Sequence, residues 1–318
     1  MEKRFPAYIS CYVSECLQLA LLLEVSAYPK PGNVHRNADF SDTRYEHFLA
    51  SAVAVAPYFK LAAERGFQLQ SGKISVGQVG IGELIRDSAK NMRRWQSGGN
   101  TLLGAVILLM PIAVAAGAVL AEGKISLPRL REKIWYIVTS STSEDAVNVY
   151  EAIEIAQPGG LGKAPDLDVR NPESKKRIIE EGISLYEVFK IASAYDSICS
   201  EWVNNYPITF DIGYPFFKEQ IEKTKDVNLA TINTFLKILA EVPDTLIARK
   251  AGKEKALEVS LEAKRILELG GLETEIGRRE LIEFDNRLRR DGNCLNPGTT
   301  ADIVSAVLAL SILEGFRP

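Results

Sequence analysis

The chain has 318 residues, 46% hydrophobic and 25% charged, a composition that fits a globular fold and argues against disorder or a fibrous repeat. The balance of 38 basic against 41 acidic residues gives a net charge of −3 without a long basic run, so the electrostatic footprint of a nucleic-acid binder is missing. Cys11, Cys16, Cys199 and Cys294 form no Cys-x-x-Cys pair and His35 and His47 are the only histidines, which leaves too few grouped ligands for a zinc site and suits reduced thiols in a cytoplasmic protein.

Apolar residues return at three- and four-residue intervals through most of the chain, separated by short polar or Gly/Pro breaks, and no alternating strand-type run competes. This spacing predicts helices over 7–27, 44–65, 76–95, 101–121, 127–138, 143–156, 182–204, 213–223, 227–240, 243–250, 253–269, 273–290 and 298–314. The first carries Glu15 and Glu24 and no small-residue cleavage site, and so reads as a core helix rather than a targeting segment. The stretch 102–121 is uncharged and as long as a bilayer span. Pro111 and two glycines interrupt it, however, and no second span follows, so a helix apolar on all sides at the centre of a bundle is expected instead of a membrane anchor. Ser143 opens a helix with Glu144 and Asp145 in its first turn, and Pro158-Gly159-Gly160 closes it. A polar loop is expected over 158–175, and Asp226 is the N-cap candidate for the helix that follows it. Together these features predict an all-α, single-domain multi-helix bundle over 1–318 around a buried central apolar helix.

Four segments depart from ordinary connectors by setting glycine or proline beside carboxylates or amides. The first runs from Glu24 through Tyr28-Pro29-Lys30-Pro31-Gly32-Asn33-Val34-His35-Arg36 to Asp42. Its prolines restrict the backbone, Gly32 permits positive φ or close ligand approach, Lys30 and Arg36 suit phosphate, and Asp39 and Asp42 suit a metal. A rigid loop capped by Asp42 is the plainer reading. The second, Ser97-Gly98-Gly99-Asn100-Thr101, opens the uncharged helix, where free N–H groups suit an anion, although Asn100 or Thr101 as a simple N-cap would explain it too. The third, from Pro243-Asp244 to Arg249, places an acid and a base near the two ends of a short helix, which dipole complementarity alone would favour. The fourth joins Phe284-Asp285-Asn286-Arg287 to Asn296-Pro297-Gly298-Thr299-Thr300-Ala301-Asp302, where the carboxylates are either helix caps or Mg2+ ligands.

In this order, PKPGNV after Glu24, GGNT before an apolar helix, PDTLIARKAG, and FDNRL followed by NPGTTADI resemble the triphosphoribosyl-dephospho-CoA synthase family over roughly residues 20 to 310. The resemblance implies an all-α enzyme that transfers the triphosphoribosyl part of ATP to a hydroxyl of dephospho-CoA, with release of adenine and with Mg2+ as cofactor. It further implies catalytic roles for Glu24, Asp244 and Asp302, and metal ligation by Asp244, Asp285 and Asp302. Nucleotide binding would fall to Lys30, Gly32, Asn33, Gly99, Asn100, Thr101, Arg249 and Gly298. The chain departs from the family pattern at Leu102-Leu103, where a His-Lys pair is common, and at His35, where an aspartate is frequent. Another phosphorylated ribose or hydroxyl acceptor therefore stays open, as do an Mg2+-dependent nucleotide or ADP-ribosyl hydrolase and a non-catalytic nucleotide-binding protein. The partners expected are ATP and the acceptor, with neither nucleic acid nor membrane; the residues leave a homo-oligomer open.

Overall fold

A computed structural model describes the backbone of residues 4–162 and 164–318 and the side chains from Ala7 onward. Among the described residues there are fifteen α-helices and no strand. They are α1 (Arg4–Ser26), α2 (Tyr45–Gln70), α3 (Ile81–Trp95), α4 (Leu103–Glu122), α5 (Leu127–Thr139), α6 (Ser143–Ala156), α7 (Pro172–Glu180), α8 (Leu185–Ala192), α9 (Ser197–Val203), α10 (Tyr214–Thr224), α11 (Val227–Glu241), α12 (Thr245–Ala251), α13 (Lys253–Glu268), α14 (Glu275–Leu288) and α15 (Gly298–Leu313).

The apolar helix α4 lies at the centre, buried on every side from Ala105 to Val119, and α1, α2, α3, α5 and α15 pack around it. Its length and hydropathy would let it cross a membrane, but its apolar surface is spent on the protein's own core. Helices α2 and α4 approach closely through reciprocal glycines. A Cβ on Gly66 would overlap the Val114 carbonyl, and one on Gly117 would overlap the Ala63 carbonyl. Pro111 has no N–H, so the Ile107 carbonyl one turn earlier loses its helical donor. The Trp202 indole N–H, 3.1 Å away, supplies that donor, and the Tyr206 hydroxyl donates to the next carbonyl, Leu108, at 3.0 Å. A proline inside the core helix thus becomes the anchor for α9 and the segment after it.

Most predicted helices are present, with differences that have local causes. The region 182–204 is two helices, because Asp196 accepts from Ile198 and Cys199 N–H and so starts α9 anew. The 158–175 loop ends early, since Asn171 caps α7 and Pro172 occupies its first turn. The helix expected from 76 begins at Ile81, after a 3₁₀ turn and Gly80 at φ +60°. The cap of α6 is Thr142 rather than Ser143, in a reciprocal capping box with Asp145. Asp226 caps α11 as expected. A π-helical turn, Ile208–Gly213, runs into α10.

Candidate active site

The four unusual segments meet at one end of the bundle around a cavity of about 640 Å³. Of the residues expected at a site, Glu24, Asn33, Gly99, Asn100, Thr101, Arg249, Gly298 and Asp302 line it. The glycine-rich turn is fastened to α2 and the preceding loop. Thr43 Oγ1 donates to the Gly98 carbonyl at 3.2 Å, and the Ser51 and Thr101 hydroxyls are 2.7 Å apart. Asn100 Oδ1 accepts from Leu103 N–H at 3.1 Å, so part of the α4 N-terminus is capped from within, and Gly99 faces open space at φ +70°.

Two carboxyl groups dominate the inner wall. Asp302 is the one ionisable residue between Gly298 and Leu313, and it lies against Gly104, where a Cβ would overlap its Oδ2. Burial, reinforced by the charge of Glu24, pushes the Asp302 carboxyl well above the usual carboxylate range. Glu24 is buried and ion-paired through Oε1 with the fully buried Lys30, whose Nζ also donates to the Glu24 carbonyl at 3.1 Å. Burial raises the Glu24 carboxyl and lowers the Lys30 ammonium, and each partner's charge opposes the other's shift. An uncompensated charge at this depth would be costly, so the two groups hold each other in place.

Four expected site residues stand behind the wall. Asp244 is a staple: Oδ1 accepts from Leu246 N–H (2.8 Å) and Ile247 N–H (3.1 Å), and Oδ2 from the Thr300 N–H and hydroxyl (both 2.8 Å). With these four donors in place it caps α12, ties it to α15, and offers no oxygen to a metal or a ribose. Asp285 is equally committed. Its Oδ1 accepts from Gly32 N–H (2.8 Å) and Arg289 Nε (2.7 Å), while Oδ2 faces His35 Nε2 at 3.1 Å. Because His35 Nδ1 accepts from Asn37 N–H, Nε2 is the protonated ring nitrogen. Burial works to raise the Asp285 carboxyl, but the His35 hydrogen bond and the Arg289 charge hold it below its ordinary value. Lys30 touches Glu24 rather than the cavity, and Gly32, at φ +66°, packs against Leu288 of α14 where a Cβ would not fit. What this buried cluster does is shape the loop: Arg289 also donates to the Asn33 carbonyl, fixing a residue that lines the cavity.

Asp42, Asp166, Asp168, Asp196 and Lys250 also line the cavity. Asp196 carries an ion pair with Arg249, Asp166 one with Arg177 (2.8 Å) and Asp168 one with Arg170 (2.8 Å). Lys250 donates to the Asn293 carbonyl at 3.0 Å, and burial lowers its ammonium. Asp196 lay inside the helix expected over 182–204, and its ability to cap a new helix is the signal that would have found it; the 166–168 acids lay in a polar loop with nothing to mark them. No group of three His, Cys, Asp or Glu side chains among the described residues is arranged to hold a metal ion.

An all-helical frame with two buried carboxyl groups, one ion-paired and one pushed up by burial, on the wall of a cavity sized for one small ligand defines the candidate site of an enzyme. The comparisons make it particular. A profile of the CitG family, ATP:dephospho-CoA triphosphoribosyl transferase, matches residues 11–317, and the chain belongs to this family of transferases. The 2-(5''-triphosphoribosyl)-3'-dephosphocoenzyme-A synthase of Klebsiella pneumoniae is 26% identical over 306 residues, 94% of this chain and 90% of that protein. A Pseudomonas fluorescens protein assigned the same activity is 26% identical over 300 residues, 93% and 89% of the two chains. A crystal structure of an Archaeoglobus fulgidus protein assigned as a triphosphoribosyl-dephospho-CoA synthase superposes with a TM-score of 0.61 at 23% identity, covering 85% of this chain and all of that one, and shares the fold.

Proposed function

We propose that this protein transfers the triphosphoribosyl group of ATP to a hydroxyl of dephospho-CoA, releasing adenine. The observation that supports this most directly is the Asp302–Glu24 pair on one cavity wall, beside the glycine-rich turn and the α12 cations. In the reaction the C1'–N bond of ATP breaks and a bond forms from C1' to the acceptor oxygen; adenine gains one proton and the hydroxyl loses one. Asp302, whose carboxyl burial pushes well above the usual range, is the acid for the departing adenine. Glu24, ion-paired with Lys30 through one oxygen and with its second oxygen outside the pair, stabilises positive charge on the ribose and receives the hydroxyl proton. A carboxyl pushed up by burial beside one held by a lysine is the kind of arrangement that such a proton exchange requires.

Mg2+ belongs to this proposal as a companion of the triphosphate. The wall's acids, Glu24, Asp42, Asp166, Asp168, Asp196 and Asp302, outnumber its cations, Arg249 and Lys250, among the described residues, and Arg249 is already paired with Asp196. A polyphosphate entering there needs its charge neutralised, and Mg2+ satisfies its octahedral shell largely from phosphate oxygens and water. Asp42, on the cavity wall, would add a ligand. The free cysteines suit a reducing, cytoplasmic setting.

The test is incubation with ATP, Mg2+ and dephospho-CoA, following free adenine and the joined product. Adenine release in step with product and dependent on dephospho-CoA supports transfer. Release at the same rate without an acceptor shows that water takes the ribosyl group, making the protein a hydrolase instead.

A further inference from the structure

A cavity of about 640 Å³ lies within the range for one small ligand, roughly 300–1,000 Å³, so it does not enclose two nucleotide substrates and the long arm of the second. In dephospho-CoA the reacting hydroxyl belongs to the nucleotide end, and what extends beyond the diphosphate is a flexible, uncharged chain of methylenes and two amides ending in a thiol. That chain needs a path out of the cavity.

A second depression, of about 500 Å³, lies on the other side of the loop that joins α6 to α7. Ile153, Gln157, Pro158, Leu161 and Val169 line both spaces, so the two are separated only by a ridge of shared side chains. Three features of the groove match the arm. Leu161, 39% exposed, stands beside the half-buried Ile153 and Val169, which pack against the core and show the groove an apolar edge. Gln157 ends α6 in a left-handed conformation, φ 49°, with an exposed side-chain amide that makes no hydrogen bond among the described residues. The charged groups at the rim are already matched, Lys175 with Glu154 at 2.6 Å and Arg170 with Asp168 at 2.8 Å. A phosphate would find no free cation in these pairs, whereas an uncharged amide chain would meet methyl groups and one amide partner.

We propose that this groove is the subsite for the pantetheine arm of the acceptor, with the nucleotide end of the same molecule reaching over Leu161 into the cavity. The proposal rests on the transfer reading for the identity of the acceptor but is tested without turnover. Dephospho-CoA and ADP share their nucleotide part and differ by the arm, so calorimetric titration of each into the wild type, Leu161→Asp and Gln157→Ala separates the two contributions. Leu161 is on the surface, and a carboxylate there does not threaten the fold. Leu161→Asp is expected to weaken dephospho-CoA about tenfold and leave ADP within about twofold, as loss of one apolar contact site predicts. Gln157→Ala shifts the same ligand in the same direction by less. Unchanged dephospho-CoA affinity in Leu161→Asp, or equal weakening of both ligands, overturns the assignment. Selective weakening together with no adenine release in the activity assay leaves the groove assigned and removes the transfer reading alone.

Discussion

At the scale of a single side chain, the proposed reaction rests on Asp302. Its carboxyl is raised first by burial and then by the nearby Glu24 charge, so its acid form persists above the ordinary range. If that form protonates adenine, kcat is full while Asp302 holds its proton and declines as pH rises through the raised value, the reverse of a carboxylate base. Asp302→Asn should fold, keep ATP affinity and lose about 10²- to 10⁴-fold in kcat, with the alkaline decline abolished. A pH–rate series on the wild type and the variant checks this, and an Asp302→Asn enzyme with normal turnover removes the residue from the mechanism. Asp302 and Glu24 stood out in the sequence because each is an acid in a largely apolar helix beside a Gly/Pro-rich segment, and such an acid has to be accounted for by a partner or a task. Asp244 and Asp285 looked the same on paper. What separates them is whether their oxygens are filled, and most of the donors that fill them come from far away in sequence, Thr300 for Asp244 and Gly32 and His35 for Asp285, with Arg289 one turn on.

At the scale of the helix, α4 shows how a flaw in one element becomes a joint between two. Its apolar surface and length were enough to predict a central position, and Pro111 was enough to predict an interruption. The residue that repairs the interruption lies in α9, a helix that periodicity had fused with α8 because Ser193-Ala194-Tyr195 contains no glycine or proline. Trp202 is fully buried and its one polar atom donates to the carbonyl that Pro111 leaves free. Trp202→Phe should therefore cost about 1–3 kcal/mol, the range for an unpaired buried acceptor, plus the loss from the smaller ring. Chemical denaturation should show the lower midpoint, and the KM for ATP should stay unchanged, because Trp202 is outside the cavity wall. A variant as stable as the wild type would mean that the Ile107 carbonyl finds another donor.

For the molecule as a whole, the question is how an acid-rich wall accepts a polyanion. Asp166, Asp168 and Asp196 each carry an arginine, Glu24 carries Lys30, and burial pushes the Asp302 carboxyl up toward its neutral form. This pairing keeps the ligand-free cavity electrically quiet and leaves few cations free to meet three phosphates. Two of the three carboxylates expected as metal ligands, Asp244 and Asp285, are saturated by internal donors that hold α12, α14 and the 28–36 loop in place. Chelation should accordingly separate folding from binding. Adding EDTA to the ligand-free protein should leave Tm unchanged, while ATP affinity measured by titration should fall at least about tenfold, because the triphosphate then enters without its neutralising cation. A lower Tm on chelation would reveal an ion-dependent fold, against the internal pairing of Asp244 and Asp285. Equal ATP affinity with and without Mg2+ would mean that Lys250 and the N-terminal N–H groups of α4 and α15 suffice for the phosphates.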